Sequence, residues 1–134
     1  MAIMCHLSGM GRAFAVPQTG NSPERTMLIA YFSHTGNTAL VAEQIHSLTH
    51  GDMHRIRTVE VYPAEHDPCS ELAGRKLRAG YRPELASRVD NMASYSIVFL
   101  GYPIWWHTMP MVCWTFLESY DFTGKNIVPF CTHG

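Results

Sequence analysis

The feature that most constrains the fold is a regular alternation of short apolar segments with helical patterns. Met27–Phe32 and Ile97–Leu100 are continuously apolar, which is typical of strands buried on both faces of a parallel sheet. Arg55–Val61 alternates in polarity and indicates a strand nearer an edge, and Ile127–Phe130 indicates a fourth strand. A helical pattern separates each strand from the next, so the sequence predicts an α/β fold with a doubly wound parallel sheet.

The first predicted helix starts at Asn37. Val41, Ile45 and Leu48 then recur at the spacing of one helical face. Gly51 follows this pattern and can end the helix.

Two further helices are predicted between the later strands. Asp67 followed by Pro68 indicates an N-cap with proline at the first helical position, and the pattern continues to Gly80. Pro83–Met92 is predicted to be a looser helical or loop passage, and Pro110–Ser119 indicates the third helix.

A polar loop joins the first strand to the first helix. It consists of Ser33, His34, Thr35, Gly36, Asn37 and Thr38. The start of a helix offers free N–H groups and a positive dipole end, and these hydroxyl and amide side chains add neutral hydrogen-bond donors. We interpret the loop as a phosphate cradle, although it is neither a Walker loop nor a G-x-G-x-x-G loop. The alternative is an ordinary polar loop before an N-capped helix.

Two other loops follow strands and are therefore expected at the same edge of the sheet. The first is aromatic and comprises Tyr102, Pro103, Ile104, Trp105 and Trp106. The second comprises Thr132, His133 and Gly134. Aromatic side chains with nearby backbone polar groups suit a flat, polarizable ligand. The alternative is that the tryptophans belong to the core, and the sequence does not show which one would face a ligand.

These three loops resemble those of the flavodoxin family. The first matches [S/T]-x-T-G-x-T, the second reads G-Y-P-I-W-W, and the third lies in G-K-x-I-x-P-F-x-T-H-G. The resemblance covers residues 27–134 and implies FMN as the cofactor. It implies that Ser33–Thr38 binds the phosphate, that Tyr102–Trp106 lines the isoalloxazine ring, and that Thr132–Gly134 belongs to a third cofactor-binding loop. No catalytic residue is assigned.

The chain departs from the family pattern at its C-terminal end. Proteins that it resembles continue through a helix, a fifth strand and a last helix. We therefore expect a sheet without the last strand and helices, with the first helix on one face and the next two on the other. Such a sheet has an unpaired apolar edge at Ile127–Phe130, which predicts weak FMN binding and self-association.

The resemblance leaves three functions open. The first is an FMN-binding protein that acts in electron transfer, exchanging electrons with a redox partner protein or a small-molecule acceptor. The second is an FMN-dependent NAD(P)H:quinone-type oxidoreductase, which needs open space over the ring for a second substrate. The third is a truncated fragment without cofactor.

Charge and hydropathy exclude several other classes. A net charge of −1 argues against a nucleic-acid partner, and no apolar run reaches the ~20 residues of a membrane span. His46, His50 and His54 recur every four residues, but no carboxylate or cysteine joins them at ligand spacing, so no metal site is predicted. The C-x5-R segment from Cys69 to Arg75 has helical spacing, which argues against a phosphatase loop.

The N-terminal segment and the cysteines bear on localisation. Residues 1–25 are predicted to be a disordered leader or the remnant of a signal peptide, and residues 26–134 form the FMN-binding domain. The four cysteines contain no C-x-x-C pair and are expected to be reduced. A cytoplasmic protein is therefore expected, with export as the alternative.

Overall fold

The computed structural model describes residues 26–133, which form a four-stranded parallel sheet in the order β2-β1-β3-β4. The strands are β1 (Thr26–Tyr31), β2 (Asp52–Arg55), β3 (Tyr95–Pro103) and β4 (Asn126–Thr132). The helices are α1 (Asn37–Thr49), α2 (His66–Arg78) and α3 (Met111–Glu118). The predicted α/β fold with a parallel sheet is confirmed.

The helices lie on both faces of the sheet, as predicted. On one face, Ala42 of α1 packs with Ile29 and Tyr31 of β1. The other face carries α2 and α3, and its larger core includes Leu28 and Phe116. Alternate residues of β1 therefore enter opposite cores, which explains why this strand is apolar at successive positions.

The second strand differs from its prediction, which placed it at 55–61. β2 ends at Arg55 because β1 ends opposite it at Tyr31, and only one more backbone bond, from Ile56 N–H to Tyr31 O, extends the pairing. Beyond this point the chain leaves the sheet, and Thr58 pairs with Leu85 in an isolated antiparallel bridge. The alternating pattern thus corresponds to an extended segment that pairs first with β1 and then with Leu85.

The buried face of α1 also differs from the predicted stripe. Thr38 and Ala42 are its fully buried residues, whereas Leu48 is 84% exposed. His50, rather than Gly51, takes the left-handed conformation that ends the helix. Gly51 is buried instead, and a Cβ there would lie 3.0 Å from the Cβ and carbonyl oxygen of Met27.

The second helix starts before its predicted cap. Glu65 is the N-cap and makes no side-chain cap bond, so His66 and Asp67 are already helical. Pro68 is tolerated at the third helical position because its missing N–H is one that the first turn leaves unpaired in any case. The passage from Pro83 to Met92 is irregular and ends in a short 3-10 turn at Met92–Ser94.

Some predictions lie outside the described residues. The leader at 1–25, Cys5 and the site residue Gly134 are among these, so their assignment stays a prediction. Cys69 and Cys113 are buried free thiols, and Cys131 is an exposed one. Among the helices of residues 26–133, none is long and apolar enough to cross a membrane.

The outer edge of β4 is exposed among the described residues. Within the described residues β4 pairs only with β3, and Ile127 and Val128 are 40% and 41% exposed. We propose that this edge associates with a second copy of the chain. Val128→Lys places a charge on the edge and is expected to lower the association constant measured by sedimentation, because edge lysines oppose strand pairing. Leu48→Lys, on the exposed side of α1, is the matched control. Equal association of both variants would contradict the proposal.

His54 predicts an acid-sensitive stability. Its Nε2 is buried without a hydrogen-bond partner among residues 26–133, and its ring stacks on Phe116 with centroids 6.1 Å apart. Burial lowers the pKa of His54, and the opposing effect of Asp90 is smaller. As pH falls below about 6.5, the unfolded chain binds this proton before the folded chain does, so the free energy of unfolding decreases.

The pH dependence is tested by comparing His54→Gln with wild type. We expect wild type to lose more stability than His54→Gln between pH 7.5 and 5.5 in urea titrations, because glutamine does not titrate. His66→Gln replaces an exposed histidine and serves as the matched control. Identical pH profiles for wild type and His54→Gln would show that the buried imidazole does not cause the loss.

Candidate functional site

The three predicted loops meet at one edge of the sheet, where β1, β3 and β4 end. The amide of Phe32 donates to Gly101 O at 2.9 Å, and the amide of Ile104 donates to Thr132 O at 2.9 Å. The hydroxyls of Thr38 and Thr132 lie 2.8 Å apart and share a hydrogen bond. Thr132 therefore joins both of the other loops, which fixes their spacing.

The first loop leaves the start of α1 open. Gly36 has φ 103°, a conformation that residues with a side chain rarely adopt, and nothing lies within 4 Å of where its Cβ would stand. The amide of Ala39 donates to Ser33 Oγ at 3.2 Å. The amides of Asn37 and Thr38 have no such partner within the described part of the chain. These N–H groups and the helix dipole can therefore hold an anion.

The hydroxyls of this loop are not equivalent. Thr38 is 1% exposed and its hydroxyl is engaged by Thr132, so it supports the loop from below. Thr35 and Asn37 are exposed, and their side chains are available to a ligand. Sequence reasoning grouped these side chains as equal donors because it could not see the contact between the loops.

The second loop is a tight turn at the end of β3. Trp105 N–H donates to Thr108 O at 2.9 Å, and Thr108 N–H donates to Trp105 O at 3.1 Å. The two central residues, Trp106 and His107, have φ of 51° and 64°. Positive φ at both central positions is the type I′ geometry. The turn holds the two tryptophans in different environments.

Trp105 belongs to an aromatic cluster at the base of the site. Its ring meets Phe32, Tyr62 and His34 edge-on, with centroids 5.4, 5.1 and 5.6 Å away. Edge-to-face contacts of this kind are favourable because the positive ring edge faces the negative ring face. Trp105 therefore links the first loop to the second.

Trp106 packs against α2 and is 49% exposed. Its indole Nε1 donates to Ser70 O at 2.9 Å. A Cβ at Gly74 would lie 2.9 Å from the indole ring, so this close approach requires glycine. The expectation that adjacent tryptophans take different environments agrees with this geometry, and both of their side chains line the same cleft.

The loops enclose a cleft of about 550 Å³. Of the predicted site residues, those lining it are His34, Thr35, Pro103, Ile104, Trp105, Trp106 and His133. Ser33, Gly36, Asn37, Thr38, Tyr102 and Thr132 are near it but do not line it. The remaining wall is formed by Ala64, His66, Cys69, Ser70, Ala73 and His107.

Sequence reasoning missed the contribution of α2 to the cleft. Its pattern indicated a helix packed on the sheet, and Cys69 and Ala73 were part of the buried stripe. Small residues at Ser70 and Gly74 were the available signal, because they let another group approach the helix closely. That group is Trp106.

Among residues 26–133, those that line the cleft include imidazoles but no carboxylate, lysine or arginine. His34, His66, His107 and His133 surround it, and His66 Nδ1 lies 2.8 Å from the carboxylate of Asp67. Burial raises the pKa of Cys69, so this thiol stays protonated and is a poor nucleophile. Among residues 26–133, no group of three or more histidine, cysteine or acidic side chains could hold a metal ion.

The chain is similar to known proteins in sequence and in fold. A family model described as Flavodoxin matches residues 26–134. No curated protein matches the chain. A Bacteroides eggerthii protein assigned to the flavoproteins is 35% identical, with 81% of this chain and 71% of that one covered and a TM-score of 0.73. A Bacteroides uniformis protein assigned likewise is 34% identical, with 81% and 72% covered and a TM-score of 0.72.

A more distant structure shares the fold. It is a flavoprotein from Lactobacillus acidophilus in complex with FMN. Its sequence is 22% identical to this one, 82% of this chain and 76% of that chain are covered, and the TM-score is 0.73. The family match spans the whole described sheet and the three loops at its edge. The chain therefore belongs to the flavodoxin family.

Proposed function

We propose that the protein binds FMN at this edge of the sheet and acts in electron transfer. The observation that carries the proposal is the meeting of an open helix start with an aromatic cleft. Thr35, next to the open amides of α1, also lines the cleft, so a phosphate and a flat ring joined by a short chain could be held together. The Lactobacillus acidophilus protein, which has the same fold, was solved with FMN.

The residues present fit this cofactor. The amides of Asn37 and Thr38, with the exposed side chain of Thr35, would hold the phosphate through neutral donors and the helix dipole. The cleft volume is within the usual range for ligand pockets of about 300–1,000 Å³. Trp105 and Trp106 would provide aromatic contact for the ring.

The protein part of the mechanism is binding, orientation and electrostatics. Bound FMN supplies the reversible uptake of one or two electrons. The network through Thr132 would hold the loops at a fixed separation, and the apolar walls would limit water beside the ring. His107 and His133 are at the cleft and could hold a proton near the ring.

A second candidate function is the reduction of a small-molecule acceptor by NAD(P)H. The observation that favours it is that no described residue lining the cleft carries a carboxylate, since acidic groups would repel a negatively charged reductant or acceptor. Steady-state oxidation of NADPH by the FMN-loaded protein, with and without a quinone, separates this enzyme from a carrier. A carrier without this activity would oxidise NADPH no faster than free FMN.

The experiment that tests the proposal is a titration of FMN with the protein, followed by flavin absorbance and fluorescence. We expect binding at one site with strong quenching, and weaker binding of riboflavin because it lacks the phosphate. A chain that neither retains nor quenches FMN would be the cofactor-free fragment.

Thr35→Val tests the hydroxyl that faces the cleft. We expect FMN affinity to fall about tenfold, because one hydrogen bond to a charged phosphate contributes roughly 1.5–3 kcal/mol and exposure reduces this. Riboflavin affinity is expected to stay unchanged. Thr49→Val, at the other end of α1, is the matched control. An equal loss for FMN and riboflavin would show that Thr35 does not contact the phosphate.

A further inference from the structure

A second pocket lies beside the cleft, between the end of β1 and the chain after β2. Its volume is about 280 Å³, and His34 lines both cavities. Its polar wall includes Arg55 and Arg57, and its apolar wall includes Phe32 and Tyr62. Of the described residues assigned to the phosphate or the ring, only Ser33 and His34 also line this pocket.

The two arginines are held in place by different contacts. Arg55 Nη2 donates to Ser33 O at 3.1 Å, which ties the end of β2 to the first loop. The backbone carbonyl of Arg57 accepts from the amide of Ala86 at 2.8 Å, so the base of this side chain is fixed. Neither arginine forms an ion pair with another described residue. Both guanidinium groups therefore keep donors that can reach into the pocket.

No described residue neutralises this positive charge inside the pocket. Within the part of the chain that the structure describes, its lining contains no aspartate or glutamate. The nearby carboxylate of Glu60 is 2.7 Å from Lys76 Nζ and is already paired. Burial raises the pKa of Tyr62, so its phenol stays neutral. An anionic group would be the natural occupant, because it would pair with two guanidinium groups without displacing an existing partner.

The pocket adjoins the proposed flavin cleft, because His34 lines both cavities. Tyr62 and Phe32 face it and at the same time contact Trp105, which lines the cleft. A molecule that extends past His34 from one cavity to the other could therefore place a flat part in the cleft and an anionic group beside the two arginines. The apolar wall at Val61, which is 82% exposed, leaves the outer side of the pocket accessible.

We propose that this pocket binds the anionic group of a small molecule that exchanges electrons with the flavin. The inference rests on the proposed function for the identity of the occupant, but the binding of an anion does not require FMN. The recognised chemistry is a sulfonate, carboxylate or phosphate attached to a flat body. Such a group can come from a quinone-type acceptor or from the 2′-phosphate of NADPH.

The test compares ligand pairs that differ by one anionic group. Calorimetry would measure dissociation constants of a naphthoquinone sulfonate against naphthoquinone, and of NADPH against NADH, with and without FMN. The variants are Arg57→Met and Arg57→Lys. Arg88→Met, which removes the same charge from an exposed site outside both cavities, is the matched control.

We expect Arg57→Met to lower the affinity for one of the anionic ligands by roughly five- to twentyfold, which is the usual effect of losing a charge-assisted hydrogen bond at a partly exposed site. Arg57→Lys should retain part of the affinity, and the uncharged partner, or NADH, should bind all variants equally. If the affinity for the sulfonate or for NADPH depends on Arg57, the proposal is supported, and the ligand affected identifies the source of the anion.

Two results would overturn the inference. One is that Arg57→Met and Arg88→Met weaken the anionic ligands equally, which would reflect only net charge. The other is that neither anionic ligand depends on Arg57. FMN affinity is measured separately on each variant and is expected not to change. A failure to bind FMN would therefore show in that titration, whereas a failure of this pocket would show in the FMN-free calorimetry.

Discussion

Replacing Gly36 with alanine is expected to lower FMN affinity by roughly 10- to 100-fold. Gly36 precedes α1 with φ 103°, and a Cβ there would have no atom of the described residues within 4 Å outside its chain neighbours. The effect is therefore purely conformational. An alanine is strained in this region by about 1–3 kcal/mol, so the loop of the variant relaxes. FMN binding must then restore the conformation that aims the amides of Asn37 and Thr38 at the phosphate.

Two other glycines provide matched controls for this prediction. Gly80 and Gly124 also have positive φ, 59° and 75°, and also have open space around the position of a Cβ. Both lie outside the cleft lining. Gly80→Ala and Gly124→Ala should lower the free energy of unfolding without changing FMN affinity. If all three variants bind FMN as wild type does, α1 does not hold the phosphate.

Gly36 also shows how far a local sequence pattern can reach. Once the alternation of strands and helices predicts a parallel sheet, a strand followed by small polar residues, a glycine and a helical pattern predicts a loop at its carboxyl edge. For that reason the order of elements and the meeting of the three loops followed from the sequence, whereas the placement of the helices on the two faces also used the strand order of the family that the chain resembles. These features depend on chain direction and handedness, which short-range patterns encode.

The end of β2 could not be predicted in the same way. Arg55–Val61 alternates as an edge strand does, but whether an extended segment pairs with β1 or with Leu85 depends on where β1 stops. Leu48 is a similar case. It fits the helical stripe of α1, but it is 84% exposed in the folded chain. Partners distant in sequence decided both outcomes.

The walls of the cleft depend on such distant partners even more. Thr38 was read as a free donor, and only the fold brings Thr132 within 2.8 Å of it. The approach of Trp106 to Gly74 joins the turn after β3 to the middle of α2. Sequence motifs therefore located the edge of the sheet that carries the site, whereas the roles of individual side chains needed the tertiary contacts.

Replacing each of the two adjacent tryptophans is expected to lower the free energy of unfolding by a different amount. Trp105 is partly buried and contacts Phe32, Tyr62 and His34, so Trp105→Ala should lower the free energy of unfolding by about 2–4 kcal/mol. Trp106 is 49% exposed and has one hydrogen bond, to Ser70, so Trp106→Ala should cost less stability.

Quenching of FMN fluorescence should rank the two tryptophans in the opposite order. Trp106 lines the cleft and is 49% exposed, whereas Trp105 is contacted by three aromatic neighbours, so Trp106→Ala should lose more quenching. Gly74→Ala separates packing from chemistry, because it keeps the indole but places a methyl group about 2.9 Å from it, and the ring must shift. Urea titrations and FMN fluorescence on the three variants measure both rankings.

If Gly74→Ala quenches FMN fluorescence as wild type does while Trp106→Ala does not, quenching requires the indole but not its exact position against α2. If neither variant changes quenching, Trp106 belongs to the wall of the cleft and does not contact the flavin.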